Sequence, residues 1–258
     1  MNEYVHYEVS DRIAYITLNR PDKRNALNHA FVTELKAAFG RAESDSGVKV
    51  IVLRANGKAF CAGADLAYLR QLQAFNFEEN LQDSNHLMEL FAQIYRHPKP
   101  VIAQVEGHAI AGGAGLATVC DFAFVVPEAK FGYTEVRIGF IPAIVMVFLV
   151  RKCGELRAKE LLLSGDIISA ETAVNYNILN RVVPAEEIQD HVREFADRLC
   201  VQNSGQSMAM TKRLLGDIQH FPIAEGLAFA SKMNAHTRGT EDCKRGISAF
   251  LNKEDLKW

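Results

Sequence analysis

Twice in its first half the chain passes from an apolar, β-like run through very small residues into a helix: IVLRANGKAFCAGADL (51–66) and VIAQVEGHAIAGGAGL (101–116). No other feature constrains the fold as much. Strands buried on both faces read as near-continuous apolar runs, and strands alternating with helices point to an α/β sheet. RIAYITLNR (12–20), VKVIVLRAN (48–56), VIAQVEG (101–107) and DFAFVV (121–126) read as strands. NHAFVTELKAAFGRAE reads as a helix, with Asn28 as N-cap and Phe31, Leu35 and Phe39 on one face. GKAFCAGADL reads as a glycine-bearing loop entering a helix, residues 79–96 as a long helix and AGGAGLATVC as a short one. After about residue 143 helical signals dominate, over 143–152, 155–163, 169–176, 185–201, 205–219, 223–238 and 240–250. The expected architecture is an α/β core over 1–200 and a helical region over 201–258, with no Pro/Gly/Ser linker between them. The two corners share a layout, yet no close internal sequence repeat is present.

Composition removes several classes of function. A net charge of −2 over 258 residues gives no electrostatic basis for binding nucleic acid or an anionic membrane. The apolar run IGFIPAIVMVFLV (138–150) is shorter than the roughly 20 residues of a membrane span and is interrupted by Pro142, so it reads as a buried or interface helix. Cys61, Cys120, Cys153, Cys200 and Cys243 form no CxxC pair, which points to reduced thiols in a cytoplasmic protein and to no metal cluster. The polar start MNEYVHYEVS is neither a signal peptide nor a transit sequence. There is no GxxxxGK[ST], GxSxG or HExxH, and AGGAGL does not match GxGxxG.

What remains is the pair of corners. A helix N-terminus offers free backbone N–H groups, and small side chains let a ligand oxygen approach them. Two facing corners would place two donors on one oxygen, which is an oxyanion hole. Alternatively, the glycines only permit tight turns and close packing. Pattern alone leaves both readings open.

RPDKRNAL, GKAFCAGADL, GHAIAGGAGLATVCDF and AKFGYTEVRIGFIP occur in that order. Together they resemble the enoyl-CoA hydratase/isomerase, or crotonase, superfamily, from the strand at residue 12 to the C-terminal helices. In look they are closest to bacterial methylglutaconyl-CoA hydratase-type members. The resemblance implies an α/β spiral of ββα repeats with a C-terminal helical trimerisation region, in a homotrimer or dimer of trimers. It implies an acyl-CoA thioester substrate of fatty acid or branched-chain catabolism. Coenzyme A is then part of the substrate, and no separate cofactor is needed. The oxyanion donors would be the N–H groups of Ala64 and Gly112. Contacts to CoA would come from Lys23, Arg24, Ala26, Leu27, Ala62, Asp65 and Leu66, with Lys23 and Arg24 facing phosphates. Asp65 is also a helix-cap candidate, so its contact would run through backbone. Phe250 and Lys253 would close the site from the last helix, sometimes that of a neighbouring subunit.

The family's hydratases commonly use two glutamates. One maps to Glu135, whose apolar surroundings, with Tyr133 and Phe140 near in sequence, suit a raised pKa and proton transfer. Phe140 would also line the substrate pocket. The other maps to Gly115, which cannot transfer a proton; the nearest acids are Glu106 and Asp121, both at strand ends. Three readings follow. The chain is a 2-enoyl-CoA hydratase using Glu135 and some other means of placing water. Or it is a 3-enoyl to 2-enoyl-CoA isomerase using Glu135 alone. Or it is a non-catalytic, thioester-binding trimeric scaffold. Under the first, space at Gly115 would admit a branched or carboxylated acyl chain such as 3-methylglutaconyl, and Arg137 would either meet that carboxylate or form a surface ion pair. His108 reads as a polar supporting or packing residue, His86 and His97 as solvated or capping, and Cys61 as a small buried residue.

Overall fold

The structure is a computed structural model that describes residues 4–258. Met1 to Glu3 of the N-terminal stretch lie outside the described residues; from Val5 that stretch forms a strand.

Strands β1 (Val5–Ser10) and β2 (Ile13–Leu18) form an antiparallel hairpin, and helix α1 (His29–Ser44) follows. Asn28 caps α1 by accepting from the Phe31 N–H at 2.9 Å, and Phe31, Leu35 and Phe39 are fully buried on one face, as the pattern predicts. Then one unit recurs three times. β3 (Val50–Ala55) and β4 (Ala59–Cys61) lead into α2 (Leu66–Leu72) and α3 (Phe77–Arg96). β5 (Val101–Val105) and β6 (His108–Ile110) lead into α4 (Gly112–Val119). β7 (Phe122–Val125) and β8 (Lys130–Gly132) lead into α5 (Ala143–Ser164). In each turn the first strand joins one sheet and the second strand joins another. This is the expected spiral of ββα repeats.

The chain closes with β9 (Ile167–Ser169), α6 (Ala170–Asn175), β10 (Arg181–Val182), α7 (Ile188–Gln202), α8 (Gly205–Asp217), α9 (Ile223–Arg238) and α10 (Glu241–Asn252). The larger sheet has the order β1-β2-β3-β5-β7-β10 and is parallel beyond the first hairpin. The smaller sheet has the order β4-β6-β8-β9. β3 and β5 are apolar runs because both faces are covered, and Val50 to Leu53 and Val101 to Ala103 are fully buried.

One expectation changes. GKAFCAGADL is not all loop, because Ala59–Cys61 forms β4. β6, β8, β9 and β10 also went unread, for segments of two or three residues carry no period of their own. The expected break between helices at 152 and 155 is present as a kink within α5, where Gly154 takes the non-helical φ 74° and ψ 169°.

The C-terminal helices are pinned to the core by polar groups. Lys212 on α8 pairs with Asp121 at 2.7 Å, and that carboxylate also accepts the Val101 N–H. At the C-terminus, Arg12 in the β1–β2 turn donates to the Trp258 carbonyl at 2.5 Å.

Candidate active site

The loop before α1 is built around two polar side chains. Asn25 is fully buried with φ 55°, a left-handed conformation that asparagine tolerates better than most residues. Its amide donates to the carbonyls of Asn56 and Ala59 and accepts the Arg20 N–H. Arg20 in turn donates to the Ala26 carbonyl at 2.9 Å and pairs with Asp65 at 2.7 Å. Neither residue was singled out from sequence. The available signal was the asparagine in RPDKRNAL, a residue type enriched at such left-handed positions. The result is a fixed loop that presents Lys23 and Arg24 to solvent while Ala26 and Leu27 are buried.

This loop frames the first corner. Leu27 and Ala64 form a parallel bridge, in which the Leu27 N–H donates to Gly63 O at 2.7 Å and the Asp65 N–H to Leu27 O at 2.8 Å. Both bonds flank Ala64, so its own N–H is left without an acceptor among the described residues. Ala64 is exposed, Ala62 is half-buried, and Leu66 is 79% exposed. Asp65 caps α2, accepting from Ala67 N and Tyr68 N. Burial pushes its carboxyl up, but those N–H groups and Arg20 outweigh burial and hold it below the usual range.

The second corner lies against the first. Ala111 donates to Gly132 O at 2.7 Å and takes φ 52° and ψ −124°, a strained conformation for a residue with a side chain. Gly112 then opens α4, which has no side-chain cap. Its N–H also has no acceptor among the described residues. A methyl group on Gly63 would stand 2.9 Å from the Ala111 Cβ and 3.7 Å from the Gly112 nitrogen. One on Gly113 would stand 2.1 Å from the Cys61 carbonyl oxygen. The two corners therefore adjoin, and each presents a free backbone donor.

Glu135 opens the 3-10 turn Glu135–Ile138. Its Oε2 is buried and has no hydrogen-bond partner. Burial raises its pKa above 4.5, opposed only by its own backbone N–H. Tyr133, two residues earlier, is buried and shares a 2.6 Å hydrogen bond with Thr118 on α4. That bond ties the glutamate's segment to the helix that begins at Gly112.

Gly115 departs from expectation. The space sought there for a branched or carboxylated acyl chain is filled. A Cβ at this position would meet Val145 Cγ1 at 2.3 Å and the Phe91 ring at 2.9 Å. Gly115 is itself buried and contributes backbone alone.

The model of the family described as enoyl-CoA hydratase/isomerase matches residues 8–258. The chain belongs to the enoyl-CoA hydratase/isomerase family. It is 42% identical over 241 residues to a Thermus thermophilus protein named "Putative enoyl-CoA hydratase", covering 93% of this chain and 95% of that protein. It is 32% identical to the crotonyl-CoA hydratase of Syntrophomonas wolfei subsp. wolfei, covering 97% of this chain and 96% of that one. Among solved structures, an enoyl-CoA hydratase from Shewanella pealeana superposes with a TM-score of 0.94 at 30% identity, covering 99% of this chain and 96% of that one.

The other candidates of this enoyl-CoA hydratase/isomerase family member are scattered, some near the corners and some away from them. Arg137 pairs with Asp166 at 3.3 Å on the surface, so the ion-pair alternative holds in this chain. His108 is exposed on β6 and accepts the Lys130 N–H at 3.2 Å. His97 ends α3 but is not solvated: it is buried against Phe39 O and Lys99, and burial pushes its pKa down to about 4. His86 stacks on His29, with ring centroids 4.2 Å apart. Cys61 is fully buried and its thiol is pushed up to about 12 by burial, which makes it a packing residue. Phe140 is 55% exposed beside the Glu135 turn. Phe250 and Lys253 lie at the end of α10, which packs on α8 and α9; Phe250 is 83% exposed. No hydrogen bond or ion pair among the described residues joins either to the two corners.

Proposed function

We propose that the chain hydrates a 2-enoyl-CoA thioester to the 3-hydroxyacyl-CoA, with Glu135 as the single proton carrier. The observation that carries this reading is the buried, unpartnered Oε2 of Glu135, on a segment tied to the second corner through Gly132 and Tyr133, together with the free N–H groups of the two adjoining corners. The thioester oxygen accepts from Ala64 N and Gly112 N. As charge develops on that oxygen, each donor contributes about 3 kcal/mol of stabilisation. Water adds to C3 and gives its proton to Glu135. The glutamic acid so formed returns that proton to C2 as the enolate collapses. One water is consumed, and Glu135 ends as it began. Lys23 and Arg24 take the CoA phosphates, while the loop around Ala26, Leu27, Ala62, Asp65 and Leu66 seats the rest of the carrier. The two features meant for a carboxylated acyl chain, a gap at Gly115 and an unpaired Arg137, are otherwise engaged, so a plain enoyl chain is the better substrate. A trimer formed through the C-terminal helices would cover exposed apolar residues such as Ile223, Leu227 and Leu251; sedimentation of the purified protein tests that assembly.

The filled position at Gly115 favours a second reading, isomerisation of a 3-enoyl-CoA. There Glu135 takes a proton from C2 and returns it to C4, and no water is needed. One assay series separates the readings, using crotonyl-CoA, 3-methylglutaconyl-CoA and a 3-enoyl-CoA with wild type and Glu135→Gln. Turnover is expected to drop on the order of 10²- to 10⁴-fold in Glu135→Gln. Hydration that survives this substitution removes Glu135 from the mechanism. Isomerisation much faster than any hydration establishes the second reading, and thioester binding without turnover establishes a scaffold.

The pH dependence has a defined sign. The first step of either reading needs the carboxylate form. Activity should therefore rise with pH through the Glu135 pKa, on a limb lying above 4.5. Stability runs the opposite way. The folded state holds the proton more tightly than the unfolded state, so stability falls as pH rises through that same window. Glu135→Gln should remove this fall and leave stability below the window unchanged.

A further inference from the structure

Gly115 lies one turn along α4 from Gly112, on the same face of the helix. Three helices meet there. Val145 on α5 is 4% exposed, Phe91 on α3 is fully buried, and both side chains occupy the place where a side chain at 115 would begin. Neither yields easily. A valine in a helix has one strongly preferred rotamer, and Phe91 is backed by Phe148 at 5.9 Å between ring centroids. One turn further on, Thr118, Phe148 and Tyr95 line a cavity of about 750 Å³ whose wall also carries Asp121, Lys152 and Lys212. The Phe91–Gly115–Val145 layer thus stands between the two corners and a cavity with charged groups in its wall.

We propose that Val145 is a specificity-determining residue, its methyl groups occupying the position that a second carboxylate at 115 would need. This rests on the reading of Glu135 as proton carrier and deepens it. With Val145 in place the site holds one acid, and the proton travels through Glu135 alone. Gly115 and Val145 form a complementary pair, so a change at one should be tolerated only with a change at the other.

Two cycles test the pair. The first is structural and uses Gly115→Ala, Val145→Ala and the double variant, followed by thermal unfolding. Gly115→Ala alone should lower Tm by roughly 5 °C or more, as overpacking in a protein of this size does. In the Val145→Ala background the same change should cost clearly less, because the 2.3 Å contact is gone and only the 2.9 Å contact with the Phe91 ring remains. Equal cost in both backgrounds overturns the proposal. The second cycle is chemical and compares Gly115→Glu/Val145→Ala with Val145→Ala alone. The ratio of crotonyl-CoA hydration to 3-enoyl-CoA isomerisation should rise at least about tenfold, the lower range of what a placed acid contributes being on the order of 10². An unchanged ratio in a folded double variant overturns the proposal. If the glutamate variant fails to fold, Gly115→Asp/Val145→Ala replaces it under the same criterion. Turnover retained by Glu135→Gln in the wild-type background would instead refute the reading of Glu135, and the structural cycle would still decide the packing.

Discussion

The two corners present the same group, a free backbone N–H, but reach it by different means. At the first, Gly63 takes φ 85° and precedes Ala64. At the second, Ala111 takes φ 52° and precedes Gly112. The order of glycine and alanine is reversed. The helix that follows also differs. The N-terminus of α2 is already satisfied by the Asp65 carboxylate, whereas α4 begins without a side-chain cap. The first corner thus offers a single N–H set by a strand bridge. The second offers an N–H together with an open helix end, whose positive dipole favours an anion. The first has its charge requirement met within the protein; the second leaves it for a ligand.

The strongest way to break the arrangement is to force the corners apart. Gly113 touches the Cys61 carbonyl so closely that no side chain fits, for a Cβ would stand 2.1 Å from that oxygen. In an ordinary helix Gly→Ala gains up to about 1 kcal/mol. Here the sign should reverse, and Gly113→Ala should lose about 3 kcal/mol or more, because a backbone carbonyl rather than a flexible side chain has to move. Denaturant unfolding measures this. A neutral or stabilising result would mean that the corners are not locked together.

The glycine–alanine reversal yields a paired prediction of opposite signs. Gly63→Ala places a side chain at φ 85° and 2.9 Å from the Ala111 Cβ, and should lose about 2 kcal/mol. Ala111→Gly removes a side chain from a strained position, which relieves on the order of 1–3 kcal/mol. Greater freedom of the unfolded chain returns about 0.4–1 kcal/mol of that. A net gain of about 1 kcal/mol is expected by thermal or denaturant unfolding. Loss of stability in both variants would show that Ala111 is not strained.

These differences bear on what sequence could reveal. The corners were legible because small residues between a strand and a helix are a local signal. Glu135 was reached only through the family resemblance; what its apolar neighbours made legible was the burial that raises its pKa. The filled position at Gly115 was not, since the methyl group that fills it belongs to Val145, 30 positions later, on a helix that reads only as apolar. The pairing of Arg137 with Asp166 was hidden for the same reason, as it depends on two segments meeting. The strands β4, β6 and β8 are set by their sheet partners rather than by any period of their own. Even the corners misled in one respect. Ala64 was expected at a helix start, but its helix begins beyond the Asp65 cap, and its N–H is freed by the bridge to Leu27.

The smallest expected effect isolates the charge that the first corner carries and the second lacks. Asparagine caps helices about as well as aspartate, so Asp65→Asn keeps the cap and removes the charge. The bond to Arg20 then weakens, and the loss at neutral pH should be about 1 kcal/mol. The folded carboxyl lies below its ordinary 3.8. Its contribution is therefore present above that pH and fades as pH falls below it towards the folded value. Wild type and Asp65→Asn should differ by a constant amount from pH 7 to about pH 5, and converge under more acid conditions. If the gap instead persists at the lowest pH where the protein stays folded, the aspartate acts through shape rather than charge. The anion at the first corner would then not be what distinguishes it from the second.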